Sequence, residues 1–186
     1  MHELYKRLAE HLESLIMGYP YTDELLDLLK EMFNPTEALV ALAIPNDLDP
    51  LQVTGIDTIA ARADLPMPEV AQALETMANR HMLFTAPTAD GTMGYALLQV
   101  GYGLPQTFFW KGKQDDTTIR MAKLVLKYFT VPTTQKIYGG VRTKSFKYAP
   151  ANRSIEIPMQ GVMPNEQFGP IDEASTTIAV AHCPCR

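Results

Sequence analysis

Cysteines are scarce in this chain of 186 residues, since only Cys183 and Cys185 are present, close to the C-terminal end. A disulfide framework is therefore excluded as the support of the fold. Long apolar runs are also missing, because the longest, Ala38 to Ile44, has seven residues, whereas a membrane-spanning helix needs about 20. The first residues are charged and lack the apolar stretch of a secretory signal. We expect a cytoplasmic protein that does not contact a membrane.

Acidic and basic residues are unevenly distributed along the chain. Residues 1–34 carry three basic and seven acidic side chains, residues 35–99 carry two and eight, and residues 100–186 carry eleven and six. The net charge of −5 therefore conceals an acidic first half and a basic second half. This asymmetry is typical of halves that face each other or a symmetry-related copy.

Two amphipathic helices are predicted at the N-terminus. Leucines and an isoleucine recur at helical spacing in residues 3–17, and Gly18 with Pro20 ends this pattern. A second helix is predicted from Asp23 to Phe33, where apolar residues cover more than one face. Because a helix with a wide apolar surface must be buried on two sides, we expect these helices to pair two subunits in a homodimer.

Residues 35–99 follow the order of a helix-turn-helix with a wing. A capped start at Asn34 predicts a helix to Ile44, and a second capped start at Thr54 predicts a short helix. A third helix is expected over residues 68–82 after a four-residue turn, followed by a hairpin with strands at 83–86 and 92–98. This order resembles a winged-helix domain, and it indicates a fold rather than a ligand.

Residues 100–186 predict a small irregular α/β segment, so that the whole chain belongs to the α+β class. A strand is predicted at 107–111, followed by a helix at 115–129. This helix should bury Ile119, Ala122, Val125, Leu126 and Phe129. Prolines and glycines from position 132 to position 164 predict irregular backbone. The expected later elements are short strands at 145–148, 154–157 and 177–181 and a brief helix at 171–175.

Cys183 and Cys185 are the candidate metal ligands. Two thiolates one residue apart can bind one metal or cluster, because sulfur is a soft ligand that suits iron–sulfur centres, zinc and copper. A 4Fe–4S cluster needs about four protein ligands, whereas the chain has two thiols, to which His182 could add a third. On spacing alone, the alternative is a pair of reduced, exposed thiols.

The residues around these cysteines resemble a known family. The ending Thr176 to Arg186, the segments 151–155 and 162–164 before it, and Met17 to Pro20 are similar to the N-terminal winged-helix region of ferredoxin-type 4Fe–4S proteins of anaerobic microbes. The resemblance covers roughly residues 17–186 and is most specific at the ending.

The resemblance implies an electron-transfer function without catalysis. Cys183 and Cys185 would be the first two ligands of the cluster region, and a redox partner protein would exchange electrons with it. The later cysteines of the family are missing here, so the resemblance implies either a truncated polypeptide or a natural remnant. The ending within the motif favours truncation, in which case the complete form holds the 4Fe–4S cluster and this chain binds none. No glycine-rich nucleotide loop, Ser-His-Asp order or metal-hydrolase motif points to an enzyme.

A redox-responsive transcriptional regulator is the alternative interpretation. Winged helices often place the third helix in the major groove of DNA, where Gln72, Asn79 and Arg80 could contact bases. However, phosphate contacts need several Lys or Arg residues, and the helix offers only Arg80 while the wing offers none. The acidic charge of residues 35–99 also opposes approach to a polyanion. A protein-interaction or dimerisation surface is therefore favoured over a DNA-binding one.

Three further features have structural explanations. Basic residues among aromatics from Lys136 to Arg153 could bind single-stranded nucleic acid. A solvated face, or one that docks on the acidic domain or on an acidic redox partner, is favoured. Asp115 and Asp116 lie at a predicted helix start, where capping explains both. His81 follows the third helix, where a residue with left-handed backbone is expected.

Overall fold

The computed structural model describes residues 2–100, 103, 106–139, 176–177 and 180–181. These residues form an α+β fold, which confirms the predicted class. Within them, no helix is long and apolar enough to cross a bilayer. The elements in chain order are α1 (His2–Glu13), α2 (Asp23–Met32), α3 (Pro35–Ala43), β1 (Thr54–Gly55), α4 (Ile56–Ala63), α5 (Met67–Asn79), β2 (Leu83–Pro87), β3 (Met93–Leu97), a short 3-10 helix (Gln106–Phe109), α6 (Asp116–Tyr128) and α7 (Val131–Gly139).

Helix α1 ends four residues earlier than the sequence predicts. The backbone turns after Glu13, and the Tyr19 N–H donates to the Leu12 carbonyl oxygen at 3.2 Å. Gly18 permits this turn, because a Cβ atom there would overlap the Glu13 carbonyl oxygen. The turn carries the buried side chain of Leu15 and reverses the chain into α2.

Helix α2 is buried on two sides, as its apolar pattern predicts, but within a single chain. It packs between α1 and α6 and buries Leu25, Leu26, Leu28, Leu29 and Met32. The apolar surface of α2 is therefore covered without a second subunit. The wide apolar surface of the N-terminal helices thus no longer supports a homodimer. The homodimer itself stays a prediction.

Helices α3, α4 and α5 pack together beside a small antiparallel sheet in the order β1-β3-β2. Asn34 and Glu37 form the predicted capping box at the start of α3, with two hydrogen bonds of 2.9 Å each. Thr54 does not cap α4 as expected, because it pairs with Tyr95 in the sheet, and Gly55 takes the cap position without a side-chain bond. The hairpin of β2 and β3 pairs Leu83 with Leu97.

Residues 106–139 depart most from the sequence-based expectation. A 3-10 helix replaces the strand predicted at 107–111, and the Thr107 hydroxyl donates to the His81 carbonyl oxygen at 2.6 Å. Helix α7 lies where irregular backbone was expected. Pro132 occupies its first turn and Gly139 its end, which are positions where helices accept these residues.

The buried face of helix α6 matches the prediction only in part, since Val125 and Phe129 pack against the core as expected. Met121 and Tyr128 are buried against the core, whereas Ile119 and Leu126 are 53% and 76% exposed. The Tyr128 hydroxyl donates to the Pro20 carbonyl oxygen at 3.1 Å, which ties α6 to the turn before α2. Asp115 caps the helix by accepting from the Thr118 N–H at 2.8 Å, as expected.

His11 connects α1 to the end of α3. Its Nε2 lies 2.9 Å from the Ile44 carbonyl oxygen, and the bond requires a proton on that nitrogen. Partial burial lowers the pKa of His11 below its ordinary value, although the bond to Ile44 acts in the opposite direction. The folded chain therefore favours the neutral imidazole.

We expect the free energy of unfolding to decrease as the pH falls below about 6.5, because unfolded His11 then takes up a proton that folded His11 still resists. Urea denaturation between about pH 7 and pH 5.5 measures this loss. His11→Gln keeps an N–H donor for the Ile44 carbonyl oxygen and does not titrate, so this variant should lose less stability over the same range. Equal losses in both proteins would contradict the assignment.

Candidate functional site

The outward face of α5 is the candidate functional surface, because α5 is the third helix of the predicted winged helix. Val70, Ala73, Leu74 and Met77 face the core. The exposed residues of the opposite face are Glu69, Gln72, Glu75, Thr76 and Asn79. The face therefore presents two carboxylates, two amides and a hydroxyl, with no cation among its exposed side chains.

Arg80 does not belong to this face. It lies at the C-terminal cap of α5, and its Nη1 contacts both carboxylate oxygens of Glu37 at 2.9 and 3.0 Å. Its Nη2 donates to the Met32 carbonyl oxygen at the end of α2. The Glu37 side chain is 3% exposed and the Arg80 side chain 36%. Arg80 is therefore held by Glu37 rather than free on the exposed face, because a buried carboxylate needs a cation beside it.

A shallow polar depression of about 270 Å³ lies between α5 and the start of α3. Its lining residues are Asn34, Thr36, Glu37, Glu69, Gln72, Ala73 and Thr76. Glu37 contributes little net charge there, since Arg80 neutralises it, so the exposed charge of the depression is the Glu69 carboxylate. Such a surface suits amide, hydroxyl or cationic groups of a partner better than phosphate.

The tip of the wing, between β2 and β3, is organised around the Asp90 carboxylate. The Thr88 hydroxyl, the Thr92 hydroxyl and the Thr92 N–H all donate to Asp90 Oδ1. These hydrogen bonds lower the pKa of Asp90 to about 2. The carboxylate is consequently charged at neutral pH, and it adds negative charge to the exposed turn between β2 and β3.

Lys111 makes a contact that the sequence does not predict. Its Nζ donates to the Asn79 carbonyl oxygen at 3.0 Å, at the C-terminal end of α5. Cations favour this end of a helix because its carbonyl groups carry partial negative charge. Lys111 is 32 residues from Asn79, so only the packing of the 3-10 segment against α5 brings the two together.

A second depression, of about 310 Å³, lies where α5 meets β2 and the 3-10 helix. His81 has the predicted left-handed backbone, with a φ of 57°, and its ring centroid lies 5.8 Å from that of Trp110. The remaining lining residues are Leu51, Ala78, Leu83, Phe84, Thr85, Leu98 and Thr107. His81 thus reverses the chain between α5 and the hairpin.

Cys183 and Cys185 lie outside the described residues, as does His182. Among the residues that the structure describes, no group of three or more His, Cys, Asp or Glu side chains could hold a metal ion. Of the basic stretch from Lys136 to Arg153, Lys136 is exposed on α7, and residues 140–153 also lie outside the described ranges. The same applies to the strands predicted at 145–148 and 154–157 and to the helix at 171–175. Of the strand predicted at 177–181, residues 178–179 lie outside the described ranges, and residues 177, 180 and 181 are not in a strand. The metal-ligand prediction therefore depends on sequence alone.

Comparison of the chain with protein-family profiles, with curated proteins and with solved structures finds no match. The likeness to ferredoxin-type proteins stays a prediction that rests on the residues quoted for it.

Proposed function

We propose that this chain is the non-catalytic winged-helix module of a 4Fe–4S ferredoxin-type electron-transfer protein, and that its α5 face binds protein rather than DNA. The single observation that carries the second part is the inward position of Arg80, which is paired with buried Glu37. A helix face without an exposed cation is poorly suited to a polyanion.

The arrangement of α3, α4 and α5 supports the winged helix. A three-residue turn, Asp64 to Pro66, joins α4 to α5, and Asp64 has a left-handed backbone with a φ of 54°. A hairpin follows α5, and the strand before α4 pairs with the second strand of that hairpin. Helix-turn-helix domains with a wing have this order of helices and strands.

The C-terminal cysteines support the iron–sulfur part of the proposal. Thiolates of Cys183 and Cys185 would bind iron through soft sulfur ligands, and the other ligands of the cluster would come from outside these 186 residues. Bound there, the cluster would supply one-electron transfer. The acidic α5 face would then hold a redox partner through a basic surface on that partner, because opposite charges favour encounter and orientation.

We expect the chain not to shift duplex DNA at micromolar concentration in about 0.15 M salt, because the exposed side chains of α5 include no cation that could neutralise phosphates. Any binding at low salt should come from the basic stretch, so that changing Arg142, Lys144 and Lys147 to alanine abolishes it. A gel-shift titration over salt concentration measures both effects. Asn79→Ala is the matched control, because it removes an exposed amide of α5 without changing the charge.

The regulator remains the second candidate because Gln72 and Asn79 are exposed on α5, and such amides can contact adenine. Sequence-selective binding that is lost in Asn79→Ala or Gln72→Ala would overturn the proposal of a protein-binding face and favour the regulator.

A further inference from the structure

Helix α6 exposes a stripe that is apolar on one edge and basic on the other. Ile119 and Leu126 are both exposed and lie seven residues apart, on the same side of the helix. Lys123 and Lys127 are exposed beside them. Single exposed apolar residues are common on proteins, but two that align along a helix with a flanking row of lysines form a surface that a partner can cover.

Helix α2 presents an acidic stripe next to this one. Asp23, Glu24, Asp27 and Glu31 are exposed on its outer side, and Lys30 is exposed beside them with its Nζ 3.5 Å from Asp27. The apolar sides of α2 are covered by α1 and α6. Arg120 of α6 pairs with Glu31 of α2 at 3.2 Å, which places the two stripes side by side. The α2–α6 surface, defined by these two stripes, is therefore negative on one helix and positive and apolar on the next.

We propose that the α2–α6 surface is the interface between two copies of this chain. A two-fold interface uses the same patch on both subunits, so the patch must complement itself. Adjacent acidic and basic stripes meet this requirement: the lysines of α6 in one copy face the carboxylates of α2 in the other, and the symmetry makes each such pairing twice. Leu126 and Ile119 add apolar area that the second copy removes from water. This inference does not depend on the proposed function.

Other occupants fit the surface less well. An anionic membrane surface or an acidic protein would attract Lys123 and Lys127, but either would also approach the carboxylates of α2, which would repel it. A second copy satisfies both stripes together. The same electrostatic argument predicts that association weakens as salt rises, because exposed charge pairs are screened.

Reversing the charges of one stripe at a time tests the interface. Light scattering of the wild-type chain at low salt should give about twice 20.7 kDa. Lys123→Glu with Lys127→Glu should weaken self-association by at least about tenfold, since like charges then face each other twice, and Glu24→Lys with Asp27→Lys should do the same. An equimolar mixture of the two double variants should recover the dimer mass, because each contact between unlike chains then joins opposite charges.

The apolar part of the interface has its own matched pair of variants. Leu126→Gln should weaken the dimer, whereas Met93→Gln, which changes a half-exposed residue of the hairpin, should leave it unchanged. A monomer mass at every concentration and at low salt would overturn the proposal. A dimer that both charge variants leave intact, or a mixture that stays monomeric, would overturn it as well.

Discussion

Arg80→Ala should destabilise the fold by about 3 kcal/mol, because the substitution leaves a buried carboxylate without its cation. The Glu37 side chain is almost fully buried, and the Met32 carbonyl oxygen loses a donor at the same time. The expected loss lies at the lower end of the range of about 3–5 kcal/mol for broken buried pairs, since Arg80 is one-third exposed and water can enter its place. Urea denaturation monitored by circular dichroism measures the loss.

Two further variants isolate the cause of this loss. Glu37→Gln in the Arg80→Ala background removes the uncompensated charge and keeps an acceptor for the Asn34 N–H, so it should recover about 1 kcal/mol. Asn79→Ala, one residue before Arg80 and exposed, should change stability by less than about 0.5 kcal/mol. If Arg80→Ala proved as stable as the wild type, the guanidinium would be free for another use, such as phosphate contact.

Tyr128→Ala should destabilise the chain by about 3–5 kcal/mol, as loss of a buried aromatic ring commonly does. The ring is buried where α6 meets α2, and its hydroxyl donates to Pro20. Burial raises the pKa of Tyr128 far above its ordinary value, so the hydroxyl remains a donor at neutral pH. Tyr128→Phe, which removes only the hydrogen bond, should cost about 1 kcal/mol. Hydrogen exchange along α6 should accelerate in the alanine variant.

Leu126→Ala is the matched control for Tyr128→Ala, because both residues lie on α6 but on opposite sides. In dilute solution it should change the free energy of unfolding by less than about 0.5 kcal/mol. A loss of stability comparable with that of Tyr128→Ala would show that Leu126 is buried. It would contradict an orientation of α6 in which Tyr128 faces the core and Leu126 faces solvent.

The N-terminal half of the fold is predictable from its sequence because its signals are local. The capping box at Asn34, the Gly18–Pro20 break and the hairpin residues each act within a few positions of the chain. Periodicity then separates the buried side of α5 from its exposed side. That periodicity alone predicts that Gln72 and Asn79 are exposed.

The errors arise where distant segments decide the outcome. Helix α6 has apolar residues on more than one side, so its pattern permits several orientations, and contact with α2 selects Met121 and Tyr128 for the core. Arg80 was assigned to the surface because its carboxylate partner is 43 residues away. Pro132 and Gly139 predict irregular backbone by their residue types, whereas they mark the two ends of α7.

Iron content tests the central claim of the proposed function most directly. A polypeptide that contains these 186 residues together with the remaining ligands of the cluster should bind about four more iron atoms per chain than its Cys183→Ala, Cys185→Ala variant. Both proteins are reconstituted anaerobically with iron and sulfide before iron is measured. The isolated 186-residue chain should hold well under one cluster, because it supplies only two thiolates. Equal iron in the wild type and the variant would contradict the account.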